Sequence, residues 1–75
     1  MPSILAKSLE NIGFTRNEAE VYVALLELGR GTVAKIAERA GINRTTGYNL
    51  LSTLVQRGMV SSSGKGVRQE YVAES

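Results

Sequence analysis

The run from Val33 to Leu54, V-A-K-I-A-E-R-A-G-I-N-R-T-T-G-Y-N-L-L-S-T-L, leaves a short chain few ways to fold. Val33, Ile36, Ala37 and Ala40 recur at i, i+3, i+4 and i+7, which sets them on one face of a short helix. Gly41 then permits the left-handed turn in which helices commonly end, and the apolar Ile42 pins that turn to a core. Asn43 offers a side-chain oxygen to cap a second helix. That helix turns Leu50, Leu51 and Leu54 inward and leaves Arg44, Thr45, Tyr48, Asn49 and Ser52 outside. Two helices joined by a glycine-containing turn, the second with a hydrogen-bonding outer face, make a helix-turn-helix. The small Ala37, four residues before Gly41, suits two helices that cross steeply and closely. The plain alternative for the same pattern is a helical hairpin inside a small bundle.

The chain has 75 residues, so 1–75 reads as one domain. A chain this short hides only ~60–65% of its unfolded surface on folding, and a homodimer is a natural source of further stability. The sequence contains neither cysteine nor histidine. Disulfides, Cys or His metal sites and histidine acid–base chemistry are therefore excluded. The acidic residues are all glutamates, spread over helix surfaces, and there is no phosphate loop. The expectation is no catalytic residues, no metal, no cofactor and no enzyme. No apolar run approaches the ~18 residues of a membrane span, and the N-terminus lacks the basic-then-apolar pattern of a secretory signal. A cytoplasmic protein with no membrane partner and no evident small-molecule site is expected.

The net charge of +2 hides a strong asymmetry. In residues 1–29, Lys7 and Arg16 face Glu10, Glu18, Glu20 and Glu27. In residues 30–68, Arg30, Lys35, Arg39, Arg44, Arg57, Lys65 and Arg68 face Glu38 alone, a net +6. The basic segment is the one that holds the helix-turn-helix, and a polyanion on that side explains it most simply. Chance clustering of basic residues on solvated faces is the competing explanation.

Along the rest of the chain, Pro2 stands at or before a helix start. Ile4, Leu5, Ser8, Leu9 and Ile12 trace one stripe of a first helix, closed by Gly13 and followed by Phe14. Thr15 to Glu18 reads as a capping box, opening a second helix from Arg16 to Leu28. Its apolar residues fall on two stripes, one of Ala19, Tyr22, Val23 and Leu26 and one of Val21, Leu25 and Leu28. Such a helix is either a buried central post or presents its second stripe to another subunit. Thr32 caps a third helix, Val33 to Ala40, and the fourth runs from Arg44 to Arg57 and ends at Gly58.

From Met59 the period becomes two. Met59–Ser62 and Val67–Ala73 read as paired strands around Ser63-Gly64-Lys65-Gly66, with Lys65 at the tip and Arg68 just past it. Residues near Gly31 and Thr32 can pair briefly with this hairpin. The fold class is mainly α with a small β-hairpin: a winged helix-turn-helix of three to four helices plus a wing. Gly47 breaks the usual pattern, because an apolar residue normally packs there beneath the second helix of the motif. It reads either as a close backbone approach or as a tolerated weak spot costing ~1 kcal/mol, and helix propensity alone favours the weak spot.

The residues Leu9-Glu10-Asn11-Ile12-Gly13-Phe14-Thr15, Glu18 to Leu26, Thr32 to Ala37, Gly41 to Thr46, Tyr48 to Leu51 and Arg57-Gly58-Met59-Val60 together resemble a known family. It is the N-terminal DNA-binding domain of the TrmB-like transcriptional regulators, and MarR-like regulators share much of the pattern. The resemblance implies a winged-helix fold, sequence-specific binding of double-stranded DNA, and control of transcription in a prokaryote. Many members look sugar-responsive through a C-terminal domain, so the resemblance places no sugar site within these 75 residues.

In that reading the fourth helix lies in the major groove. Arg44 pairs with a guanine edge and Asn49 with adenine. Thr45, Thr46 and Ser52 meet phosphates or a thymine methyl. Tyr48 either packs its ring on the second helix or reaches a phosphate. Thr32 and Lys35 meet the backbone at a helix N-terminus, and Lys65 and Arg68 touch phosphates or the minor groove from the hairpin. The alternative from another class is a winged-helix protein–protein module that meets an acidic partner.

Overall fold

Thr15 starts the element on which the others lean. Its hydroxyl accepts the Glu18 N–H at 3.1 Å, and the Glu18 carboxylate accepts the Thr15 N–H at 2.8 Å. This closed capping box satisfies two orphan donors and opens α2 (Arg16–Leu28). The structure, a computed structural model, describes residues 4–74. Around α2 stand α1 (Ile4–Asn11), β1 (Arg30–Thr32), α3 (Val33–Ala40), α4 (Arg44–Gln56), β2 (Val60–Ser63) and β3 (Glu70–Ala73), with one 3-10 turn at Gly66–Arg68. All three other helices, β1 and β3 pack on α2. Val21 and Leu25 are completely buried, as are Ile36 of α3 and Leu51 and Leu54 of α4. The second stripe of α2 therefore belongs to the core. Val21 and Leu25 are not available to another subunit, and the reading of α2 as a central post holds.

The sheet is antiparallel with strand order β1-β3-β2. Tyr71 sits in the middle of β3, opposite Gly31 of β1 and Ser62 of β2, and is 2% exposed. The brief pairing of Gly31 and Thr32 with the hairpin is thus real, and it makes β3 rather than β2 the central strand. With two helices ahead of the helix-turn-helix pair α3 and α4, and this sheet beside them, the architecture is a winged helix-turn-helix.

Four local expectations need correction. The predicted stripe of α1 is rotated: Ala6 and Leu9 are buried, whereas Ile4, Leu5 and Ile12 are 86%, 46% and 72% exposed. Pro2 lies outside the described residues. α4 ends at Gln56 and not at Arg57; the Arg57 N–H bonds the Thr53 carbonyl and the Gly58 N–H bonds that of Val55, which closes the helix. The strands begin later than their alternation implies, at Val60 and Glu70, because residues 64–69 fold on themselves. There the N–H groups of Arg68 and Gln69 bond the carbonyls of Lys65 and Gly66 at 3.2 and 3.1 Å. Gly64 makes this possible, since at φ +83° a Cβ would stand 2.7 Å from the Arg68 carbonyl oxygen.

Gly47 is the fourth correction. It is buried, and a Cβ added there would lie 3.1 Å from the Cβ of Ala37. The position is a close helix–helix approach, not a tolerated weak spot. The missing side chain and the small Ala37 together let α4 cross α3 closely. Two further ties fix α4 at its far end. Arg57 donates to Glu18 at 3.4 Å, and its guanidinium lies 5.0 Å from the centre of the Phe14 ring. Phe14 in turn meets Tyr22 edge-on.

Gly47→Ala should lower stability by about 1–2 kcal/mol, although alanine is the better helix former. Ala37 carries its methyl on a fixed backbone and cannot swing aside. In an Ala37→Gly background the same substitution should cost at least ~1 kcal/mol less. Urea unfolding of the four proteins checks this; equal losses in both backgrounds would show that the helices do not meet there.

Candidate nucleic-acid interface

Successive residues of a helix stand ~100° apart, so the burial of Gly47, Leu51 and Leu54 fixes how α4 is rolled. Asn49 then points most directly away from the core, flanked by Thr45, Thr53 and Gln56, and all four are exposed. Thr46 and Leu50 lean to one side and are half-buried. Tyr48, Ser52 and Val55 lean to the other side, toward the wing. Leu51 and Leu54 behind this surface are completely buried, and their packing sets the directions of the polar residues in front.

Each helix of the motif is capped as its sequence implies. The Asn43 carboxamide oxygen accepts the Thr46 N–H at 2.8 Å, and the Thr32 hydroxyl accepts the Lys35 N–H at 3.4 Å. Gly41 adopts the left-handed conformation at φ 75° and ψ 31°, which turns the chain from α3 into α4. Thr32 also pairs with Glu70 in the sheet, so one residue joins the wing to the start of α3.

The cations divide cleanly. Arg30 pairs with Glu70 at 4.0 Å, Arg39 with Glu27 at 3.2 Å and Arg57 with Glu18 at 3.4 Å. Among the described residues, the other cations of the basic segment, Lys35, Arg44, Lys65 and Arg68, are exposed and have no ion-pair partner. These four are the cations that sequence reasoning placed at the interface. Two of them stand where a cation is electrostatically misplaced. Arg44 is the first residue of α4 and Lys35 lies in the first turn of α3, at helix ends that favour negative charge. Neither helix has an acidic residue in its first turn, whereas α2 has Glu18 there. An anion docked at these two helix ends would reverse the penalty.

Tyr48 stays out of the core and is 51% exposed. With Ser52, Val55 and Gln56 it forms one wall of an open cleft of about 240 Å³. Ser62, Gln69 and Tyr71 of the wing form the other. Burial, and secondarily the neighbouring Tyr48, push the Tyr71 phenol above its ordinary pKa, so it stays protonated. Sequence reasoning found Tyr48 and Ser52 but missed Gln56, Ser62 and Gln69. The signal for Gln56 was present, four residues after Ser52 on the same helix face. Ser62 comes beside it through the strand register, and Gln69 through the 3-10 turn that leads into β3. The described residues hold no group of three metal-binding side chains, and no helix among them is long and apolar enough to cross a membrane.

The family model described as sugar-specific transcriptional regulator TrmB matches residues 9–74. The chain belongs to the TrmB family. The sugar-sensing transcriptional regulator TrmBL1 of Pyrococcus furiosus is 32% identical over 56 residues, covering 75% of this chain and 16% of that protein. The uncharacterized protein YrhO of Bacillus subtilis is 38% identical over 64 residues, covering 85% of this chain and 23% of that one. The structure of TrmBL2, an archaeal chromatin protein, superposes on 93% of this chain and 27% of its own with a TM-score of 0.84 at 22% identity. That likeness gives the winged-helix fold of a TrmB-family domain. The chain spans 16% and 23% of the two curated relatives.

The misplaced cations generate a test that needs no ligand. Arg44→Glu and Lys35→Glu should each raise the stability of this TrmB-family domain by about 0.3–1 kcal/mol at low salt. Lys35→Glu should gain more, since it completes a capping box with Thr32. Urea midpoints that fall instead would mean these side chains support the fold rather than a partner.

Proposed function

We propose that the chain is the DNA-reading domain of a prokaryotic, cytoplasmic transcription regulator, with α4 in the major groove of a duplex and the wing on the backbone or minor groove. The observation that carries this reading is the division of the cations. Three in the basic segment are tied into the fold, and the four left free stand on α3, α4 and the wing tip. The names of the relatives agree with it: TrmBL1 is a transcriptional regulator, and the TrmBL2 structure is described as showing a novel mode of DNA binding.

In this reading Arg44 and Asn49 meet base edges, as bidentate partners of guanine and adenine. Thr45, Thr46 and Ser52 contact phosphates or a thymine methyl, and the Tyr48 hydroxyl reaches a phosphate. Thr32, Lys35, Lys65 and Arg68 hold the backbone and set the register. No observation favours the protein–protein module. A homodimer suits palindromic sites. Its surface is α1, where the apolar face is wider than the core covers and leaves Ile4, Leu5 and Ile12 outside.

Selection of bound duplexes from a random pool tests DNA binding and yields the site together. Three phosphate-neutralising cations, Lys35, Lys65 and Arg68, predict a log–log salt slope of about −2.7 per domain. Lys65→Ala should weaken all sequences alike and flatten the slope by about one unit, whereas Arg39→Ala should leave it unchanged. Arg44→Ala should relax preference at one base pair by ~1–3 kcal/mol. Failure to retain any duplex at low salt, with co-purification of an acidic protein, would overturn the reading. Sedimentation should show a dimer that Leu5→Glu dissociates without unfolding; a monomer at high concentration removes the dimer alone.

A further inference from the structure

The cleft between α4 and the wing collects polar groups that the fold does not use. Six of its seven lining residues, Tyr48, Ser52, Gln56, Ser62, Gln69 and Tyr71, carry hydroxyl or carboxamide groups. None of the six side chains makes a hydrogen bond within the described residues. Tyr71 is the sharpest case. The residue is 2% exposed, yet no buried side-chain oxygen lacks a partner, so its hydroxyl must open into the cleft. A buried tyrosine normally finds an internal partner for its hydroxyl.

The chemistry of the lining selects the occupant. All six groups are neutral, and all can donate a hydrogen bond. No lining residue is acidic, which disfavours a cation. The cations stand at the margins: Arg44 lies one turn before Tyr48, and Arg68 immediately precedes Gln69. An α-helix ~10–12 Å across does not enter so small a cleft. A sugar–phosphate strand does, and it presents acceptors to every donor.

We propose that the cleft seats one backbone strand of the duplex, held by Gln56, Ser62, Gln69 and the two tyrosine hydroxyls. The proposal rests on the DNA-reading function above and adds to it a set of neutral contacts. Their role differs from that of the lysines and arginines. A neutral donor releases no counterion when it meets a phosphate, so its contribution does not fade with salt. The cations supply attraction at a distance, and the cleft fixes where the strand comes to rest.

The experiment is a salt titration of binding to a labelled duplex taken from the random-pool selection, using Gln56→Ala, Gln69→Ala and Tyr48→Phe. None of these side chains supports the core, and thermal melts confirm folding. Each variant should bind about three- to tenfold more weakly at every salt concentration, on a line parallel to that of the unsubstituted protein. A scan of uncharged methylphosphonate linkages should find a backbone position at which the substitution and Gln69→Ala are not additive. Variants that bind normally while Lys65→Ala flattens the slope would overturn the cleft proposal and leave DNA reading intact. A changed slope in the glutamine variants would also overturn it. An unsubstituted protein that retains no duplex removes both.

Discussion

The contact between Gly47 and Ala37 governs this molecule. Two helices can cross this closely only if one of them presents no side chain and the other only a methyl. With that approach fixed, the depth at which Ile36, Leu51 and Leu54 meet is fixed as well, and the roll of α4 follows. The outward direction of Asn49 is thus a consequence of an absence on the opposite side of the helix. The far end of α4 is held by different means, an ion pair from Arg57 to the capping glutamate of α2 and a cation–π contact with Phe14. Packing fixes one end of α4 and charge fixes the other.

Charge is also the currency in which the chain separates fold from partner. Three of its acidic residues complete structure: Glu18 in a cap, Glu27 and Glu70 opposite arginines. The unpaired lysines and arginines of the basic segment sit at helix starts and at the wing tip, where the domain alone gains nothing from them. A surface that costs stability in isolation is explained by what it meets.

Much of this was legible in the sequence because the signals are local. The caps at Thr15, Thr32 and Asn43 each need only three residues, and the helix periods need about seven. The glycine turn at Gly41 follows from one residue type. What escaped depended on contacts distant along the chain. The roll of α1 could not be read, because Ile4, Leu5 and Ile12 form as plausible a stripe as Ala6 and Leu9 do, and only the packing of α1 on α2 decides. The role of Gly47 required knowing what faces it. The wing was misjudged where alternation ran on through Arg68, because a carbonyl contact at Gly64 folds that stretch back. Ser62 gained its place beside α4 from strand register and Gln69 from the 3-10 turn before β3, and no periodicity in α4 reveals either.

Thr32 has a consequence beyond its cap. The residue is hydrogen-bonded into the first turn of α3 and is simultaneously a sheet partner of β3, the strand that carries the wing. The wing therefore cannot tilt without dragging the helix-turn-helix along with it. The gap between the two behaves as a caliper with its screw tightened, not as a hinge. Under the DNA-reading proposal, a duplex whose groove is too narrow or too stiff must itself deform to enter, and bases that touch no side chain would then influence affinity through their flexibility.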